Sequence, residues 1–231
     1  MKKRIFLASL VLACQLAPAQ VTSASDVSQL VSLLRDGNRG DDAASLRAAR
    51  IQLAQSSPVA ALTRIAHLVR RGHLPARAVL TEGLATRNFA MPAAEAQAFV
   101  DEYAAAAAHG DGFGALMQGL FAEYGFGPVQ QDAAKAKIHY EAAAHGGNLW
   151  ALTRLGLMLE QGRDPAVPVD LGRAAFWYDQ VSGVDAEATA HIVAMYRSGR
   201  LWPGHEPRTE ADLAGLEAQQ RAWDAAHAVG P

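Results

Sequence analysis

Residues 142–146 read Ala-Ala-Ala-His-Gly, and residues 106–110 read the same five letters 36 positions earlier. Weaker echoes stand at Val181-Ser182-Gly183 and at Ala225-Ala226-His227. A block with an aromatic centre precedes two of these ends. Lys135-Ala136-Lys137-Ile138-His139-Tyr140 pairs with Arg173-Ala174-Ala175-Phe176-Trp177-Tyr178, 38 positions on. The other half of the unit recurs as well. Gln118-Gly119-Leu120, Gly125-Phe126-Gly127-Pro128-Val129 and Asp132 answer to Leu155-Gly156-Leu157, Gly162, Val169 and Asp170. A period of this length is one helical hairpin, and such self-similarity marks an array whose units bury their apolar faces on one another.

The residue types have physical reasons. A glycine inside a helix costs about 1 kcal/mol relative to alanine. Gly119 and Gly156 are tolerable there if the missing side chain lets two helices approach, with Ala143, Ala144 and Ala174 doing the same on the facing helix. Tyr140 and Tyr178 are expected to fill space between successive hairpins. Gly146 and Gly183 suit the left-handed residue after a helix end. Asp132 and Asp170 precede second helices, where a carboxylate caps free N–H groups and meets the positive end of the dipole.

This pattern resembles the Sel-one-like repeat family, a variant of the tetratricopeptide-type α-hairpin. The copy at about 111–146 carries the resemblance through Gly119, Gly125, Gly127, Val129, Asp132, Lys135, Ala136, Tyr140, Ala143, Ala144 and Gly146. The copy at about 147–183 carries it through Ala151, Leu155, Gly156, Gly162, Asp170, Ala174, Trp177, Tyr178 and Gly183. Two departures stand out: Pro128 lengthens one turn and Arg163 to Pro168 stretch the other. The resemblance implies an all-α fold, an α-solenoid of helix-turn-helix repeats wound into a superhelix.

Outside the two good copies the units are degenerate. Residues 75–110 predict two helices split near Ala90-Met91-Pro92, because proline suits a first helical turn and disfavours helix just before it. Residues 184–230 predict a helix ending near Gly199, a loop with Trp202-Pro203-Gly204, and a last helix capped by Thr209. The array thus spans 75–230, after a helical or capping region at 20–74 with helices near 25–36, 42–55 and 58–71. Ala61-Leu62-Thr63-Arg64-Ile65-Ala66 echoes Ala151-Leu152-Thr153-Arg154-Leu155-Gly156, yet the offset of 90 is two and a half periods and breaks the phase.

Composition sets the broad class. Among 231 residues, 50% are hydrophobic and 19% charged, and about a fifth are alanine, the best helix former. A net charge of −2 withdraws the usual warrant for nucleic-acid binding. Residues 1–19 read as a secretory leader: Lys2, Lys3 and Arg4, then an apolar stretch, then Ala17-Pro18-Ala19, with cleavage after Ala19. The expected location is therefore periplasmic or secreted. Val11-Leu12-Ala13-Cys14 offers a competing lipoprotein cleavage. A chain cut after Ala19 keeps 18 basic and 23 acidic residues and loses Cys14, its one cysteine, and with it any disulfide or thiolate chemistry. Beyond the leader no stretch is long and apolar enough to span a bilayer.

No catalytic signature emerges. The eight histidines show no His-Glu-x-x-His pair or ligand spacing, so no metal is expected. Gly125-Phe126-Gly127 joins two helices rather than a strand and a helix, and reads as a turn. Carboxylates look scattered at helix starts and on solvent faces, which nominates no acid/base pair. No cofactor is expected and no enzyme. Trp150 and Trp202 are candidate exposed anchors, and Trp150 and Arg154 candidate groove residues on a first helix. The resemblance implies a protein-interaction adaptor, scaffold or regulator in a bacterial envelope, gripping protein partners through a concave surface. Two alternatives stay open: a secreted enzyme of the β-lactam-binding repeat type, whose relatives are cysteine-rich, and a lipid-anchored assembly scaffold.

Overall fold

A computed structural model describes residues 24–55, 57–163, 165–200 and 210–227. These form eleven α-helices, and the only β pairing among the described residues is an isolated bridge between Arg163 and Val167. The protein is an all-α array of paired helices. Contacts divide it into two compact units, Met1–Arg77 and Ala78–Pro231.

In the first unit, α1 (Ala24–Asn38), α2 (Asp42–Ala54) and α3 (Pro58–Arg70) pack in sequence, α2 against both neighbours. Asp41 caps α2 by accepting from the Ala44 N–H at 2.8 Å, and Pro58 opens α3 where its missing N–H costs nothing. Small residues let the helices close up. A Cβ on Gly37 would lie 2.9 Å from Ser45 Cα. Ala48, Ala49, Leu62 and Ile65 form the core between them. Helix α4 (Leu74–Ala85) crosses the boundary between the units.

The second unit continues with α5 (Ala93–Ala108), α6 (Gly112–Tyr124), α7 (Ala133–His145), α8 (Leu149–Gln161), α9 (Leu171–Asp179), α10 (Ala186–Arg197) and α11 (Glu210–His227). From α5 onward each helix packs on the next. Asp132 and Asp170 cap α7 and α9, each accepting from a backbone N–H three residues on at 2.9 Å. Asn148 and Asp185 do the same for α8 and α10, and Asp111 caps α6 by accepting from the Phe113 N–H two residues on, so an Asx residue recurs at each of these starts. Thr209 and Trp202 lie outside the described residues.

Two close approaches define the hairpin. A Cβ on Gly119 would lie 2.5 Å from the Tyr140 ring, and one on Gly156 would lie 2.4 Å from the Tyr178 ring. Each tyrosine therefore lies flush on a bare patch of its own hairpin's first helix, rather than filling only the space between hairpins. Phe126, buried in the Gly125–Gly127 turn, stacks on Phe121 at 4.6 Å, and Tyr103 meets Phe113 and Phe121 edge-on. Gly125 takes the left-handed conformation that ends α6.

The expectation for Gly146 is corrected. Its φ is −77°, and the left-handed residue is Gly147 at φ +80°. Helix α7 runs one residue further into the shared motif than its counterpart, where Gly110 turns left-handed. Gly146 has another reason to lack a side chain: a Cβ there would lie 2.7 Å from Gly112 Cα. Gly183, at φ +90°, does take the left-handed role.

Candidate functional site

Glu123 in the last turn of α6 is 3% exposed, and three other segments converge on it. Tyr140 of α7 donates its hydroxyl to Glu123 Oε2 at 2.6 Å. Arg154 of α8 donates Nη2 to the same oxygen at 2.5 Å and to the Tyr124 hydroxyl at 2.9 Å. Arg163, in the turn after α8, reaches Glu123 Oε1 at 3.3 Å. Burial pushes the Glu123 carboxyl up, but the charge and hydrogen bond of Arg154, the Tyr140 bond and the Arg163 charge together hold it below the ordinary range. The same burial, with Glu123 beside it, drives the Tyr140 hydroxyl upward, so it stays a donor.

The constellation is present twice. Moving 37 positions on converts Glu123, Arg154 and Arg163 into Glu160, His191 and Arg200, and 38 positions convert Tyr140 into Tyr178. The contacts repeat with the letters. Tyr178 donates to Glu160 Oε2 at 2.9 Å, His191 Nδ1 stands 2.8 Å from the same oxygen, and Arg200 Nη1 lies 3.1 Å from Oε1. His191 also stacks on the Tyr178 ring at 5.3 Å. Burial again raises the carboxyl, and His191, Tyr178 and Arg200 bring Glu160 below the ordinary range. Each copy ties the first helix of one hairpin to its own second helix and to the first helix of the next. Its most buried basic side chain is arginine at one junction and histidine at the other.

These residues correct the reading of the carboxylates as solvent-facing. Glu123 and Glu160 look like surface letters in a linear sequence, because their partners lie 17 to 40 positions away. The one signal that could have exposed them was the 37-residue offset, applied to charged positions as well as to glycines and aromatics.

The nominated groove residues are placed differently from expectation. Trp150 is 3% exposed and donates its indole N–H to Glu187 Oε2 of α10 at 3.1 Å. Arg154 is 6% exposed and belongs to the buried network. Helix α8 packs against α7, α9 and α10, and both Trp150 and Arg154 are turned into those junctions rather than onto an open face. Trp202 is not among the described residues.

Leu149, at the start of α8, is exposed, and two further exposed apolar side chains recur with the repeat. Ile138 of α7 is 61% exposed and Phe176 of α9 is 51% exposed, at equivalent repeat positions 38 residues apart. Trp177 packs edge-on to Phe176 with ring centres 5.0 Å apart. A cleft of about 430 Å³ lies between the α4–α5 loop and the α6–α7 turn, walled by Leu84, Phe89, Met91, Phe126 and Val129, with Arg87 at φ +58° in its lining. Among the described residues no three His, Cys, Asp or Glu side chains gather as a metal site. No described helix is long and apolar enough to cross a membrane.

No family model matches the chain, and no characterised protein matches it in sequence. Solved structures do resemble it. The protein c5321, a protective antigen of uropathogenic Escherichia coli strains displaying an SLR fold, aligns at 20% identity over 84% of this chain, with a TM-score of 0.47. A Sel1 repeat protein from Oxalobacter formigenes aligns at 19% identity over 84% of this chain and 78% of its own, with a TM-score of 0.49. The chain spans about half, 48%, of the c5321 structure.

Proposed function

We propose that the chain is an exported scaffold of the bacterial envelope that binds a protein partner across the second helices of its array. The observation that carries this reading is the pair Ile138 and Phe176, large apolar side chains left exposed at equivalent positions of consecutive hairpins. A single exposed apolar residue is ordinary; two at the same repeat position form a periodic apolar row that a partner can cover. The buried Glu123 network and the part-buried Glu160 network support it further, because they hold successive hairpins in one register and so fix the spacing of the row. The reading assigns no reaction to the chain.

Photo-crosslinking in intact cells tests it. A photoreactive phenylalanine analogue at position 138 or 176 should capture one and the same protein, while the analogue at the exposed α5 position of Glu102 should not. Phe176→Glu should abolish capture from position 138. Capture of unrelated proteins from all three positions would overturn the reading. Export rests on residues 1–19. Mass spectrometry of the periplasmic fraction should find a mature chain beginning at Gln20, unchanged by Cys14→Ala, and a mature chain still carrying Met1 would remove the envelope from the proposal.

A further inference from the structure

The echo between residues 61–66 and 151–156 leads to a second site. Helices α3 and α8, which carry it, stand five helices apart along the chain, and five helices are two and a half hairpins. The offset therefore matches one extra helix, and Arg64 and Arg154 occupy comparable places. Arg154 reaches back to the end of α6, and Arg64 reaches back to the end of α1, with Nη1 3.4 Å from Asn38 Oδ1 and 3.2 Å from Ser45 Oγ.

What differs is the counter-charge. Arg154 has the Glu123 carboxylate; Arg64 meets a neutral amide and a neutral hydroxyl. Among the described residues no carboxylate lies within ion-pair distance of Arg64 or of His67, and Arg64 Nε is buried without a hydrogen-bond partner. In place of a carboxylate there is space. A cleft of about 550 Å³ opens between the end of α1, α2 and α3, and Arg64, His67, Arg71, Asn38, Ser45 and Gln52 line it. Gln52 Oε1 is also buried and unpartnered there. Arg71 is engaged by Asp42, so of the two arginines in the lining only Arg64 lacks a carboxylate among the described residues.

Charge along the chain points the same way. Residues 24–77 carry eight arginines, no lysine and four aspartates, whereas residues 78–231 carry ten basic and nineteen acidic groups. The basic excess lies in the unit that holds the cleft, and its cations are all of the type that grips carboxylates through a planar fork. Arg64 and His67 on α3, and Arg71 capping its end, follow one face at i, i+3 and i+7, a span of about 10 Å at 1.5 Å per residue.

We propose that this cleft binds a small organic anion bearing two or more carboxylates, one of which takes at Arg64 the place that Glu123 holds at Arg154. A second carboxylate reaches His67 and the outer end of the cleft near Arg71. Carboxylate is preferred to phosphate because the comparable arginine within the same fold holds a carboxylate. The cleft has room for a short-chain di- or tricarboxylate beside Arg64 and His67 and exceeds what a lone acetate fills.

The test is titration of the full mature chain with succinate and tricarballylate, with acetate and sulfate at matched ionic strength as comparisons, read by the Arg Nε–H resonances in ¹H–¹⁵N spectra. The Arg64 Nε–H signal, identified by its loss in Arg64→Gln, should move saturably with succinate or tricarballylate, and much less with acetate or sulfate. Losing a charge-assisted bond of this kind should weaken binding at least about tenfold in Arg64→Gln. His67→Gln, at an exposed position, should weaken it about threefold, in keeping with a more exposed contact. If Arg64→Gln proves less helical by circular dichroism, His67→Gln carries the comparison alone. No saturable shift with either polycarboxylate, an equal shift with sulfate, or undiminished binding in the folded variants would overturn the proposal.

Discussion

Gly156 shows most directly how one absent side chain sets the geometry. The nearest atom to a Cβ there is Tyr178 Cε1, and the ring cannot swing aside because Tyr178 is fully buried and its hydroxyl is bound to Glu160. Gly156→Ala should destabilise the protein: overpacking of this kind costs about 1–3 kcal/mol, against the roughly 1 kcal/mol that alanine gains in helix propensity. Gly215 in α11 is the internal control, since nothing lies within 4 Å of a Cβ there. Gly215→Ala should therefore be neutral or stabilise by up to about 1 kcal/mol. Urea denaturation of the two variants reads both, and a stabilised Gly156→Ala would mean that the ring is not held.

At the scale of the element, the two junctions should respond differently. Removing one partner of a buried ion pair leaves an uncompensated charge, at a cost of about 3–5 kcal/mol. Arg154→Ala should approach that, because Glu123 would keep only the half-exposed Arg163 and the Tyr140 hydroxyl. His191→Ala should cost clearly less, since His191 is 34% exposed and Glu160 keeps Arg200 and Tyr178. Acid tests the same carboxylate. Glu160 is held below its ordinary value when folded, so the unfolded chain takes up its proton first. Its stabilising contribution is complete above the unfolded glutamate value of about 4.3 and drains away as pH falls through the lower folded value. Glu160→Gln should flatten the acid limb of the urea midpoint against pH, and an unchanged limb would remove Glu160 from the acid response. Helix positions were legible beforehand: the expected 42–55 and 58–71 are α2 and α3 to within a residue, because Asp41, Pro58 and the glycine turns act through local backbone chemistry. The junctions were not legible, because Glu123 and Arg154 meet only once three helices have docked. Nor was the left-handed residue after α7, where Gly146 and Gly147 offer the same local chemistry and the helix's extension to His145 leaves the left-handed place to Gly147.

For the array as a whole, nearest-neighbour packing makes stability additive in steps rather than uniform. Among the described residues of Ala78–Pro231, α11 packs chiefly on α10, and α10 on α8 and α9, whereas the Glu123 network ties together α6, α7 and α8. A defect placed at Glu123 should open its own helices first and reach α11 only through two intervening junctions. Arg154→Met keeps the apolar stem and deletes the charge. In native-state hydrogen exchange of the full-length variant, amides of α6, α7 and α8 should lose protection most, α9 and α10 less, and α11 least. The reverse variant, Glu217→Ala, removes the carboxylate that Arg197 holds across α10 and α11, and should loosen α11 while leaving α6 and α7 unchanged. If either substitution lowered protection equally from α5 to α11, the hairpins would be opening as a single cooperative block, and the fixed spacing of Ile138 and Phe176 would owe nothing to the individual junctions.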